Sequence, residues 1–111
     1  MNYIYLIEAI GDHEVKYKIG FTKDEKNLKI RLRTIQTGNP YKCKIIKTFK
    51  TKYKRKVEIT LHNKFKPFRQ KGEWFNLDLE QVTNFTKYCE TIEDNFSILE
   101  KSGNPFFNKK Q

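Results

Sequence analysis

Acidic side chains are scarce through the middle of this sequence. Between Glu25 and Glu73 the only one is Glu58, while Lys and Arg recur almost without relief. Cysteine is nearly as rare: Cys43 and Cys89 stand far apart with no CxxC spacing, which implies neither a zinc site nor a disulfide framework. Two reduced, largely buried thiols in a reducing compartment are the expectation. No apolar run approaches the roughly 18 residues of a membrane-spanning helix. The N-terminus shows no charged leader followed by a hydrophobic stretch, and neither a lipidation motif nor a long basic amphipathic helix is present. These absences predict a soluble protein of the cytoplasm or another reducing intracellular compartment, not secreted and with no membrane partner.

What is present is cationic and aromatic. Hydrophobic residues make up 37% of the chain, low for a core, but 14% are aromatic, and Phe and Tyr carry most of the apolar bulk. A length of 111 residues allows one modest domain, expected over 1–100 with a tail at 101–111. The net charge of +10 points to a polyanionic partner such as DNA. Its distribution is more informative. Residues 1–71 hold 19 basic and 6 acidic side chains, a balance of +13, whereas residues 72–111 hold 4 and 7, a balance of −3. Lys42, Lys44, Lys52, Lys54, Arg55 and Lys56 belong to a run free of acids, suited to contact with a phosphate backbone.

Residues 2–9 are β-branched and aromatic and predict a strand. Gly11-Asp12-His13-Glu14 supplies a turn, and 15–22 alternates Val15, Tyr17, Ile19 and Phe21 with Lys16, Lys18 and Gly20, so an antiparallel hairpin is expected. Gly20 leaves room for something to approach the backbone closely. Asp24 caps a helix to about Gln36 with Leu28, Leu32 and Ile35 as its apolar stripe and Arg31 in the same arc. Gly38-Asn39-Pro40 ends it. Residues 41–50 predict a third strand with a bulge at Ile45-Ile46. In the helix around 56–65, Val57, Glu58, Leu61, His62 and Phe65 fall on one side, turning a lone carboxylate toward the body of the protein. Such a group suggests metal binding or proton transfer, with an ordinary ion pair as the alternative. Trp74 and Phe75 fit a core better than a base-stacking surface. Asp78 with Gln81 forms a capping box before a helix that turns Val82, Phe85 and Cys89 inward and either continues or breaks toward Ile92, Phe96 and Leu99. Phe106 and Phe107 in the tail can dock back on the domain.

Five pieces in order resemble the GIY-YIG nuclease superfamily, in particular its short phage- and virus-associated branch: Tyr3-Ile4-Tyr5; Tyr17-Lys18-Ile19-Gly20; Arg31-Leu32 with Gln36-Thr37-Gly38-Asn39-Pro40; Glu58-x-x-Leu61-His62-x-x-Phe65; and Gly72-Glu73-Trp74-Phe75. The resemblance implies an α/β fold, a small three-stranded antiparallel sheet flanked by helices, and metal-dependent hydrolysis of DNA phosphodiesters. It implies Tyr5 as general base or orienter of the attacking water, Arg31 on the scissile phosphate, and Glu58 as ligand of one Mg²⁺. Lys18 stands where many members carry tyrosine; a lysine near Tyr5 would favour phenolate. Tyr17, one place earlier, points to the opposite face of the strand. His62, by its place one turn after Glu58, and Asn76, by loose correspondence to a late asparagine of other members, are secondary candidates. A catalytically weak or inactive module binding DNA or RNA is the alternative reading, and attachment to a protein partner through the acidic C-terminal helix a third. With no separate recognition domain expected at this size, either specificity is weak or a protein partner supplies it.

Overall fold

The computed structural model describes residues 2–103, so Phe106 and Phe107 lie outside the described residues. Strands β1 (Tyr3–Ile10) and β2 (Val15–Thr22) form the predicted hairpin, closed by a Gly11 N–H to Glu14 C=O bond of 2.9 Å. Helix α1 (Glu25–Thr37) leads to β3 (Lys42–Lys50), and α2 (Lys54–Lys64) follows. Two one-turn 3-10 segments, Lys66–Phe68 and Lys71–Glu73, lead to α3 (Leu79–Thr83) and α4 (Phe85–Lys101). The three strands are antiparallel in the order β2-β1-β3. The most apolar strand takes the centre: Ile4, Tyr5, Leu6, Ile7 and Ala9 of β1 are all buried, because both of its faces are covered.

Alternation along β1 divides the core. Ile4 and Leu6 join Ile19, Val57, Leu61, Phe65, Phe75, Phe85 and Cys89 beneath α2 and α4. Tyr5, Ile7 and Ala9 join Leu28, Cys43 and Trp74 on the α1 side. Phe65, Phe75 and Phe85 are fully buried, and each contributes about 2–3 kcal/mol through burial. The expected bulge is real: Leu6 faces Lys47 and Ile7 faces Ile45, leaving Ile46 unopposed. Both cysteines are buried and free. Among the described residues no helix is long and apolar enough to cross a membrane.

Capping chemistry fixes the helix positions. Asp24 accepts from Asn27 N at 2.7 Å to start α1. Gln36 staples its end to β3, donating to the Tyr41 carbonyl at 2.8 Å and accepting from Cys43 N at 2.8 Å. The Asp78–Gln81 capping box forms as predicted. The helix after it breaks at Asn84 (φ −92°, ψ 8°) and then runs without interruption to Lys101. The segment after α2 turns back so that Phe75 pairs with Tyr17 on the outer edge of β2, with bonds of 2.9 and 2.7 Å. It covers only the first half of that edge.

Candidate active site

Beside the uncovered half of β2, between α1 and α2, lies a cavity of about 340 Å³ lined by Tyr5, Lys18, Ile19, Gly20, Phe21, Arg31, Glu58, His62 and Glu73. Tyr5 starts on the central strand and reaches it by crossing β2. It lies opposite Gly20 in the register, and a Cβ built on Gly20 would fall on the Tyr5 hydroxyl and ring. The close approach that glycine permits is therefore made by the phenol of the neighbouring strand. Lys18, two residues earlier, shares that face, with its ammonium 5.6 Å from the Trp74 ring centre.

Glu58 and His62 occupy adjacent turns of α2, flanking a stripe in which Val57, Leu61 and Phe65 are buried. The His62 Nε2 lies 2.9 Å from the Ile19 carbonyl oxygen. A carbonyl only accepts, so Nε2 carries the hydrogen and donates it. Only Nδ1 is left for any ligand, and the ring packs edge-on against Phe75 at 5.1 Å. His62 ties α2 to β2 and thereby fixes Glu58 beside Tyr5. Arg31 is exposed on α1 and points its charge at the same cavity.

The electrostatics differ in one respect from the sequence expectation. Burial pushes the Tyr5 phenol above its ordinary value; Arg31 pulls it back and Glu58 pushes it further up. The cation bearing on Tyr5 is Arg31, whereas Lys18 acts on Glu58. Burial also raises the Glu58 carboxyl, and Glu73 adds to the rise; His62, Arg55 and Lys18 oppose it without cancelling it. Glu58 takes part in none of the ion pairs among the described residues, which join Lys44 to Glu8, Lys52 to Glu100 and Arg69 to Glu73.

Tyr5, Lys18, Arg31, Glu58 and His62 come together; the remaining predicted residues do not. Tyr17 lies in the core on the other face of β2, its hydroxyl donating to Glu8 at 3.3 Å. Asn76 is exposed and spends its backbone N–H on the Phe68 carbonyl, away from the cavity. The basic run divides: Lys42 and Lys44 lie on β3 at the far edge of the sheet, and Lys52 is paired with Glu100 at 3.0 Å. Lys54 and Arg55 stay close, 5.5 and 5.9 Å from the Phe21 ring centre. Lys56 belongs to the first turn of α2. Trp74 and Phe75 are buried, as expected.

Glu73 was legible only as one letter of the Gly72-Glu73-Trp74-Phe75 string. It enters the cavity because Gly72 and Glu73 take consecutive positive φ angles, +74° and +66°. Among the described residues no three His, Cys, Asp or Glu side chains gather as a metal-binding group.

These features define a small α/β domain whose polar, partly buried cavity joins a phenol, an arginine, a lysine and two carboxylates at a sheet edge. The chain belongs to the T5orf172 domain family, whose model matches residues 2–90. A viral relative, "Putative KilA-N domain-containing protein 315L" of Invertebrate iridescent virus 6, is 31% identical over 86 residues, which cover 72% of this chain and 34% of the relative. The chain thus spans about a third of that relative's length. No solved structure matches it. Membership in this viral-type family suggests a nucleic-acid-related function.

Proposed function

We propose that the protein is a Mg²⁺-dependent endonuclease that hydrolyses DNA phosphodiesters by a GIY-YIG-type mechanism. The observation that carries this reading is the convergence of Tyr5, Lys18, Arg31 and Glu58 from four different elements on one cavity, with Gly20 vacated for the phenol. The residues fit a hard cation. Glu58 is a half-buried carboxylate with no ion-pair partner among the described residues, Glu73 faces it, and Mg²⁺ needs only one or two carboxylates when waters and phosphate oxygens complete its shell. Bound there by Glu58, the ion would neutralise charge developing on the phosphate.

The chain's own groups supply the rest. Arg31 offers the two-pronged donor that a non-bridging phosphate oxygen accepts. The Tyr5 hydroxyl shares the cavity with Arg31 and Glu58, and both act on it electrostatically; its oxygen can accept a hydrogen bond from a water and orient that water toward phosphorus. Attack forms the new P–O bond and breaks the one to the leaving oxygen; the water's proton passes to Tyr5 when it is ionised, and the leaving alkoxide takes a proton from solvent water to depart as the sugar hydroxyl. Burial and Glu58 raise the phenol and Arg31 opposes them only in part, so the metal-free site favours neutral Tyr5 and a bound cation would have to favour its ionisation. Lys18, with His62 and Arg55, opposes the rise that burial and Glu73 impose on the Glu58 carboxyl, and so favours the carboxylate that a cation would need.

Cleavage of supercoiled plasmid with Mg²⁺, then with EDTA, tests the reading. Wild type should cut only with the metal, and Tyr5→Phe should lose about a hundredfold or more of the rate while still binding DNA. Full activity in Tyr5→Phe would make Tyr5 a core residue. Binding without cutting by wild type would establish a binding module instead.

A further inference from the structure

The outer edge of β2 offers more than the cavity just described. Tyr17 exchanges both backbone bonds with Phe75, away from β1, and outward-facing residues alternate along an antiparallel strand. The backbone groups of Ile19 and Phe21 therefore also face outward. The Ile19 carbonyl is taken by His62, whereas Phe21, the next outward position, lines a second cavity of about 500 Å³. That volume lies within the roughly 300–1,000 Å³ of pockets that hold a small-molecule-sized group. It is walled by Asn27, Ile30 and Arg31 of α1 on one side and by Lys54 at the start of α2 on the other, with Phe21 and Lys23 between. Phe21 and Arg31 also line the first cavity, so the two are continuous along the strand edge.

The lining matches one nucleotide. Lys23, Arg31 and Lys54 bring three positive charges to a cavity with no carboxylate in its walls. The Phe21 ring is approached by the Lys54 ammonium at 5.5 Å and the Arg55 guanidinium at 5.9 Å, so polar groups reach its face. A base can stack where a guanidinium approaches, with the flanking cations on its phosphate. Ile30, half exposed at the rim, gives the sugar an apolar contact. We propose that this groove binds one unpaired nucleotide of the strand next to the scissile phosphate, making single-stranded or locally melted DNA the preferred flank of the substrate. The proposal rests on the nuclease reading for its orientation, since it takes the first cavity as the place of cleavage.

The test uses the full chain and a five-residue oligothymidylate, followed by amide NMR and by affinity. The Phe21, Thr22, Lys23 and Ile30 amides should shift on titration, and a fully paired duplex long enough to stay annealed should leave them in place. Phe21→Leu should weaken oligothymidylate binding about tenfold, the loss of one stacking contact. Ile30→Glu, which adds a negative charge at an exposed position and spares the core, should weaken it at least as much without changing the circular dichroism spectrum. Shifts confined to the β3 lysines, or equal groove shifts with duplex, would overturn the proposal. Plasmid cleavage by the same wild-type preparation separates the two readings: cutting with a silent groove sinks only the groove, and groove shifts without cutting sink only the nuclease.

Discussion

At the scale of single residues, Glu58 and Gly20 hold opposite lessons. Glu58 was legible as an isolated acid on an inward helix face, and its environment gives its role a thermodynamic sign. Burial, then Glu73, raise its carboxyl, so the folded state holds the proton more tightly than the unfolded chain does. Its contribution to stability is fully present below the unfolded value and is lost as pH rises through the higher folded one. Metal-free wild type should therefore lose stability across the weakly acidic range above the ordinary carboxylate value. Glu58→Gln, which cannot ionise, should lack that limb and melt at pH 7 on the order of a few degrees higher or less. Millimolar Mg²⁺ should raise the melting temperature of wild type but not of Glu58→Gln. A destabilised Glu58→Gln would show that the ionised carboxylate supports the fold and would remove the metal-site argument. Gly20 was legible only as a place of close approach, because strand periodicity cannot name what crosses a glycine. Its Cβ would meet the Tyr5 hydroxyl, Cζ and Cε1, the last at 3.0 Å. Gly20→Ala should displace the phenol and cost cleavage about as much as Tyr5→Phe, seen as a lost rate with oligonucleotide binding largely kept.

At the scale of elements, the three strands, α1 and the inward face of α2 followed from periodicity and caps, because those signals are local. The break at Asn84 did not, since the apolar spacing from Val82 through Phe85 to Cys89 continues across it. The Lys71–Glu73 turn was also hidden: positive φ at a glutamate is a tertiary outcome. That turn brings Phe75 onto β2 and Glu73 into the cavity, and Arg69 holds Glu73 at 3.4 Å. Gly72 supplies its left-handed start at φ +74°, where a Cβ costs about 1–2 kcal/mol. Gly72→Ala should lower unfolding free energy by about 1 kcal/mol in urea titrations. It should impair cleavage beyond that loss, because Glu73 and the β2 edge shift together. Activity unchanged at saturating Mg²⁺ would show the turn to be only a connector.

At the scale of the whole molecule, the balance of +13 over residues 1–71 was plain from composition, but its geography was not. Strand order decides it. With β1 in the centre, β2 and β3 are opposite edges, so lysines adjacent in sequence are parted in space. Lys42 and Lys44 lie on the edge away from the cavities, and Lys44 is partly spent on Glu8 at 3.6 Å. Lys54 and Arg55 begin α2 beside Phe21 and the groove. The acids of α4 stay at the surface, where Glu100 accepts from Lys52 at 3.0 Å and from the Tyr53 hydroxyl at 2.9 Å. Equal formal charges should therefore weigh unequally in binding. Each phosphate contact contributes about 0.9 to the slope of log affinity against log salt on duplex and about 0.7 on a single strand. Lys54→Gln with Arg55→Gln should lower the slope on oligothymidylate by about 1.4, the value for two lost contacts, and weaken binding at low salt. Lys42→Gln with Lys44→Gln removes the same formal charge and should change the slope by well under half as much. Equal slopes for the two double variants would mean that the nucleic acid senses only net charge, and the strand edge between α1 and α2 would lose its claim to be the binding face.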